Sequence, residues 1–360
     1  MSVQPDGPFK GALVGAGNVS VNHLLAWQKI PQAKILAIAD PDLVNAHDRG
    51  AEFGISDSRV YPSLEALLAH ETELDFVDIT APPDSHLPLV ETAAARGLHV
   101  LCQKPFAPSL KEARQMIAIC EEAGVLLDIN ENWRWRPWYR QIRQILHSGK
   151  IGQPIYARIF GHNSSWLPDR IRPGNRFYTW PRVILYDFGL HYIDVLRFLF
   201  GQPQRVYARL AGLNKKLMGE DRAIVMLEYE RLTAIVDLSW SSFSPWGHPN
   251  RTKNLVEDLR IEGERGTIEL VPNPERGDLI RLTDVSGKGE KNLYDDNPFD
   301  LYIGSYVSAQ SHFIRCLRDG KTPETVASDN INSLGVMLAA YQAAETGQVV
   351  DIARFMELEC

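Results

Sequence analysis

A lysine, Lys104, stands in "VLCQKPF" just past an apolar run, with Gln103 before it and Pro105 after it. Proline restricts the residue before it to extended geometry, which pre-orients Lys104 at a strand end. An amine held there can donate to a substrate hydroxyl or help move a proton, whereas a lone lysine is by default a solvated side chain. A second group lies in "YDFGLHYID". Asp187 and His191 are four residues apart and share one helix face, with Asp194 three further on. A histidine beside a carboxylate can serve as a general base near neutral pH. The competing reading is a structural hydrogen bond. The spacing also suits two metal ligands, but no third accompanies them, and a metal is not expected.

A third group could hold a cofactor. "GAGNVS" follows an apolar run and opens a helical stretch. Gly15 permits a tight turn, and Gly17 lets a pyrophosphate approach the backbone. Asn18 and Val19 enter the helix whose free amides would face the phosphates. The third glycine position holds Ser20, still small enough for close packing. Asp40 closes the next apolar run, "ILAIAD", where a carboxylate accepts from ribose hydroxyls and repels a 2′-phosphate. No arginine directly follows it, so NAD is expected over NADP. "APPDSH" ends another such run. Pro82 fixes a loop there, and His86 either faces the cofactor or begins the next helix. Gln103 and Lys104, at a further strand end, complete the expected cofactor contacts, because ligands bind beyond the carboxyl ends of such strands.

These residues need elements to place them. Through about Asn130, short buried runs alternate with amphipathic helices near residues 19–29, 43–53, 87–96 and 109–122, a pattern of βαβ units and a parallel sheet. Beyond it, longer strands follow one another, from "PIYARIFGH" to "DLIRLTDV", as in a largely antiparallel sheet. The helix of "YDFGLHYIDVLRFLFG", closed at Gly201, interrupts them, and a last helix covers about 330–344. The expectation is an α/β protein: a nucleotide-binding domain over 1–130, an α+β domain over 131–360, and a cleft between them.

"ENWRWRPWYR" follows the first domain, and "NRFYTW" lies further on. Interleaved arginine and tryptophan can bind nucleic acid, but the chain carries a net charge of −7 and no wider basic patch, so no nucleic acid is expected. A polar-aromatic wall fits better, since aromatic faces suit sugar rings while Asn and Arg bind hydroxyls. Asn132, Arg134 and Arg158, with Lys104, Asp187 and His191, are the expected substrate contacts. The four cysteines form no CxxC pair, and the start "MSVQPDGPFK" has no apolar core of a signal peptide. No apolar run is long enough for a bilayer, so a reduced cytoplasmic protein away from membranes is expected. Disorder is expected over residues 1 to about 8.

As a set, the glycine turn, the "QKP" turn, "NWR", "GKIGQP" and "DFGLHYID" resemble the Gfo/Idh/MocA family of nicotinamide-dependent oxidoreductases. The resemblance implies an N-terminal Rossmann domain and a C-terminal α+β domain whose large, mostly antiparallel open sheet mediates a homodimer or homotetramer. It also implies a catalytic Lys–Asp–His group, which falls on Lys104, Asp187 and His191. The family usually has glutamate where this chain has Gln103, which keeps an acceptor but lacks the charge. "VLCQKPFA", "ENWRW" and the stretch "ETVASDNINSLGVMLAAYQAA" are most similar to the branch that oxidises a branched pentose at its anomeric carbon. An NAD-dependent sugar or polyol dehydrogenase is thus expected, its substrate an aldose such as D-apiose. Two alternatives share the fold: a redox-neutral epimerase or glycosidase that recycles NAD, and a non-catalytic sensor of NAD and sugar.

Overall fold

A computed structural model describes residues 7–162, 176–242, 256–271, 279–285, 287–292 and 298–359. The chain forms two compact units. One comprises residues up to Trp135 together with Tyr302–Ile331; the other comprises Arg136–Leu301 and Asn332–Cys360. The sequence had pointed to a single division at 130/131. The difference arises because residues 302–331 return to complete the first unit's core.

In the first unit the strands are β1 (Phe9–Val14), β2 (Ala33–Ala39), β3 (Val60–Tyr61), β4 (Phe76–Ile79), β5 (His99–Cys102) and β6 (Leu127–Ile129). They form one parallel sheet in the order β3-β2-β1-β4-β5-β6. The helices between them are α1 (Ser20–Trp27), α2 (Leu43–Phe53), α3 (Leu64–His70), α4 (His86–Ala94) and α5 (Leu110–Ala123). Asp42, Ser63 and Ser109 cap α2, α3 and α5 with side-chain oxygens. This is the doubly wound order, with its switch of direction at β1 and β4. Beneath the sheet, Phe313 and Ile314 pack with Phe9, Trp27, Phe76 and Leu101 in one buried cluster.

The second unit begins with α6 (Pro137–His147), which has proline in its first turn. Next come β7 (Pro154–His162), a π-helical turn over Leu185–Gly189, and α7 (Leu190–Phe200). The remaining strands are β8 (Arg205–Ala211), β9 (Arg222–Glu228), β10 (Thr233–Ser239), β11 (Val256–Gly263), β12 (Gly266–Val271), β13 (Leu279–Asp284), β14 (Gly287–Asn292) and β15 (Val350–Asp351). Their order is β14-β13-β12-β11-β7-β10-β9-β8-β15, antiparallel except for β7 beside β10. The expected open, mostly antiparallel sheet is therefore present. α8 (Pro298–Asp319), α9 (Ala327–Thr346) and α10 (Ile352–Leu358) finish the chain. Neither α6 nor α8 was expected from the sequence. In α6 the interleaved Arg and Trp disguise the 3–4 spacing of Trp138, Ile142 and Leu146. No helix among the described residues is long and apolar enough to cross a membrane.

Candidate active site

The carboxyl ends of the first unit's strands collect the expected cofactor residues. Gly15 follows β1 with φ +102°, and a methyl group there would lie 2.7 Å from Ala81 N. Glycine is thus required both by backbone conformation and by the close approach of the loop after β4. Thr80 Oγ1 donates to Gly15 O at 2.5 Å and ties that loop to the turn. Gly17 differs: a methyl group there would meet nothing within 4 Å. Gly17 and Asn18 are exposed, and Val19, at the start of α1, makes no side-chain cap. The open helix start and the bare glycine turn fit a bound pyrophosphate.

Asp40 has a task beyond the expected one. Its Oδ2 accepts from Ala16 N at 2.6 Å and its Oδ1 from Asp42 N at 2.8 Å. The carboxylate pins the glycine turn to the end of β2 while its remaining lone pairs stay available to ribose hydroxyls. A buried set that the sequence reading missed fixes α1 itself. Asp78 lies 2.9 Å from His23 Nδ1 and accepts from Trp27 Nε1 at 2.7 Å, and Asn130 Nδ2 lies 3.0 Å from His23 Nε2. All of Asp78, His23 and Asn130 are fully buried. The signal available was a polar residue inside α1 and inside β4, and a third directly after β6.

Pro82 is exposed at the loop after β4. His86 begins α4 and is fully buried. Its Nε2 lies 2.8 Å from Ala81 O, its Nδ1 3.0 Å from Phe106 O and 3.2 Å from Cys102 Sγ. Burial pushes its pKa down, opposed by the two carbonyls. Of the two expected readings, the helix start is the one observed, and the ring packs within the first unit.

Lys104 lies just past β5, half-buried, and its peptide bond to Pro105 is cis. Its amide donates to Gln103 Oε1 at 2.7 Å, and Gln103 N donates to Ile79 O at 2.8 Å. The Gln103 side chain also hydrogen-bonds the Tyr306 hydroxyl, which lies 3.1 Å from Tyr302 Oη. Gln103 is buried, and its amide helps position the Lys104 turn. The buried Glu131 carboxylate already acts on Tyr306, so a neutral amide at 103 avoids a second charge there.

Two expected substrate contacts turn inward. Asn132 Nδ2 donates to Ser305 Oγ at 2.7 Å. Arg134 Nη1 donates to Glu324 O at 2.9 Å, and Nη2 lies 3.3 Å from Asp329 Oδ2. Both side chains are buried and fasten the returning 302–331 segment. Arg158 stands on a strand of the second unit. Strand alternation sends Ala157, Ile159 and Gly161 toward α7, where a methyl group at Gly161 would touch Tyr192 Oη. Arg158 points to the opposite face of the sheet and lies 3.6 Å from Asp258.

Asp187 lies in the π-helical turn and His191 in the first turn of α7. π turns of this kind often mark functional positions. Asp187 is half-buried and His191 is 6% exposed. Asp194 is fully buried and accepts from Ser333 Oγ at 2.8 Å, a packing bond to α9. A cluster of aromatic rings adjoins His191 through Phe188. Phe188 lies edge-on to His191 at 6.4 Å and to Trp240 at 5.1 Å; Phe177 contacts Trp240 and Trp180, and Trp180 contacts Tyr186. Phe177 and Trp180 are the expected contribution of "NRFYTW", while Asn175 lies outside the described residues. Trp240, at the end of β10, was legible only as an aromatic beyond a strand end.

Residues 9–131 match the "Oxidoreductase family, NAD-binding Rossmann fold", and residues 139–269 match the "GFO/IDH/MocA C-terminal domain". The chain belongs to the Gfo/Idh/MocA family. Membership makes it an oxidoreductase acting on CH–OH groups, with an NAD-binding Rossmann unit. It is 36% identical, over 96% of its length and 90% of the relative, to a D-apiose dehydrogenase of Paraburkholderia graminis. A D-apiose dehydrogenase of Rhizobium rhizogenes is 33% identical over 97% of this chain and 99% of that protein. The crystal structure of an oxidoreductase from Agrobacterium radiobacter, in complex with NAD+, L-tartaric acid and magnesium, superimposes with a TM-score of 0.86 at 32% identity, covering 96% of this chain and 99% of that one.

Proposed function

We propose that this protein oxidises a sugar or polyol hydroxyl with NAD, the best-supported substrate being an aldose such as D-apiose, converted to its lactone. The observation that carries the reading is the bare glycine turn at Gly15 and Gly17, tied to Asp40 at the carboxyl ends of the parallel sheet, in a chain of this family. Phe188 and Trp180, the partly exposed rings of the cluster that adjoins His191, offer faces for the C–H side of a sugar ring, and the similarity to D-apiose dehydrogenases supports a branched pentose.

Gly15, Gly17, Asn18 and Val19 would hold the pyrophosphate, and Asp40 the adenosine ribose, with its charge disfavouring NADP. Pro82 and Lys104 would complete the cofactor contacts. NAD supplies the hydride acceptor when bound. His191 takes the proton of the substrate hydroxyl as its C–H bond is broken and the carbonyl forms. Lys104 donates to the same oxygen, orients it and stabilises its developing negative charge. Asp187 orients His191 or accepts from a neighbouring hydroxyl. A general base of this kind contributes about 10²–10⁴-fold in rate. The reading includes a homodimer or homotetramer through the open sheet face, where Tyr156, Arg158, Phe160, Ile224 and Ile235 alternate charge with apolar surface.

The test is nicotinamide absorbance after mixing the protein with NAD or NADP and a panel of aldoses and polyols that includes D-apiose. NADH formed with one sugar, and lost in His191→Ala at unchanged NAD affinity, supports the reading. Stronger turnover with NADP would overturn the role of Asp40. NAD binding without NADH from any sugar would overturn the dehydrogenase reading.

A further inference from the structure

The helix that carries Asp187 and His191 has its start held in an unusual way. A helix start leaves four amides without intrahelical partners. Here all four amides that lead into the π-helical turn are taken by two residues distant in sequence. Val183 N and Leu185 N both donate to Glu220 Oε1, each at 3.1 Å. Ile184 N donates to the Glu220 carbonyl at 3.1 Å. Tyr186 N donates to the Tyr341 hydroxyl, which in turn donates to Glu220 Oε1 at 2.6 Å. The next amide, Asp187 N, returns to Val183 O at 2.9 Å and begins the helical ladder.

Around this core everything is close. Glu220 is 7% exposed and Tyr341 5%. Arg182 lies over the Tyr341 ring at 4.8 Å. A methyl group at Gly219 would lie 2.9 Å from Pro181 O and 2.7 Å from Val183 Cγ2, so glycine lets the chain before Glu220 press directly on the segment it holds. A carboxylate placed at a helix start also complements the helix dipole.

We infer that Glu220 and Tyr341 are positioning residues for the Asp187–His191 pair. The inference rests on the proposed catalytic role of that pair. Asp187 lies one residue beyond the last clamped amide, and His191 lies one turn further on. Any loosening of the clamp rotates or slides the turn, and both side chains move with it. Positioning errors of about 1 Å can cost about 10²-fold in rate. Burial pushes the Glu220 carboxyl pKa up, while the bonds from Tyr341 and the Leu185 and Val183 amides hold it down. The clamp thus gathers four donors on one acidic residue, an arrangement that exceeds the needs of an ordinary helix cap.

The experiment uses the full chain with NAD and the sugar of the panel that gives most NADH. Tyr341→Phe removes one oxygen and no packing volume; Glu220→Gln is the companion variant. Each is made alone and with His191→Ala, and kcat, KM, NAD affinity and melting temperature are read together. In Tyr341→Phe we expect kcat to fall at least fivefold with NAD affinity within twofold. In the His191→Ala background the same change should alter kcat less than twofold, because the clamp acts through the residue already removed. Unchanged kcat in Tyr341→Phe would overturn the inference. So would a fall carried in full into the His191→Ala background, which marks a general structural effect. If His191→Ala alone leaves kcat unchanged, the catalytic reading fails first, and the positioning role fails with it.

Discussion

Gly15 and Gly17 stand two residues apart in one turn, yet replacing each by alanine should have opposite consequences. At Gly17 a methyl group enters open space and the backbone φ is not positive, so the fold loses nothing. It occupies instead the surface where a pyrophosphate would meet the turn. Loss of one charge-assisted hydrogen bond costs about 1.5–3 kcal/mol, roughly 10- to 150-fold in Kd. At Gly15 the φ of +102° costs an L-residue about 1–2 kcal/mol, and the new methyl would lie 2.7 Å from the Ala81 backbone. The conformational cost alone lowers the melting temperature by about 2–8 °C. Calorimetric titration with NAD and a thermal melt, run on both variants, separate the two. Gly17→Ala should melt like the wild type and bind NAD at least tenfold more weakly. Gly15→Ala should melt lower. Unchanged NAD affinity in a well-folded Gly17→Ala would refute the placement of the pyrophosphate, and an unchanged melt in Gly15→Ala would refute the reasoning from φ and the close approach of Ala81.

Asp40→Asn keeps an acceptor for Ala16 N but removes the charge; the kcat/KM ratio of NAD to NADP should fall at least tenfold, and an unchanged ratio would sink the electrostatic argument for NAD. Asp128, whose carboxyl burial pushes up from an ordinary 3.8 to about 7, should make stability pH-dependent. Between about pH 4 and 7 the folded chain holds a proton that the unfolded chain releases, so stability falls with rising pH by up to about 1.4 kcal/mol per unit and is flat outside that window. Denaturant unfolding of Asp128→Asn across this range should remove that slope; parallel curves would show that Asp128 does not titrate there. Asn132→Ala should lower the unfolding midpoint, because it removes a buried hydrogen bond to Ser305 and leaves a cavity, and a pure rise in sugar KM would instead support a substrate contact. Arg158→Ala, on the sheet face away from α7, should leave sugar KM within twofold and shift the mass measured by light scattering.

What could be seen in the sequence was whatever chain order alone determines. The glycine turn, Asp40 and Lys104 each follow a strand directly, so their place at the carboxyl ends of a parallel sheet follows from βαβ order. Asp187 and His191 follow from helical spacing in the same way. The partners of Asn132, Arg134 and Arg158 were not legible because orientation depends on residues far along the chain. Ser305 lies 173 residues from Asn132, and Glu324 lies 190 from Arg134. For Arg158 the period of two was readable, but which face meets α7 was not. Glu220 and Tyr341 escaped for the same reason: they are 121 residues apart, and neither has a local pattern.

The return of residues 302–331 to the first unit bears on how the protein is made. Phe313 and Ile314 are part of the cluster that seals the underside of the parallel sheet at Phe9, Trp27 and Phe76. A ribosome that has finished Trp135 has produced every strand of that sheet and α1–α5, but not the part of its cover that Phe313 and Ile314 supply. At about 5–20 residues per second, the wait from residue 135 to residue 331 is roughly 10–40 s. Throughout that interval Phe76 and its neighbours lack the packing that Phe313 and Ile314 provide. Chaperones that recognise unpacked apolar side chains should therefore engage the nascent chain early and release it late, and a fragment cut after residue 135 should be captured by them and remain poorly soluble when made alone.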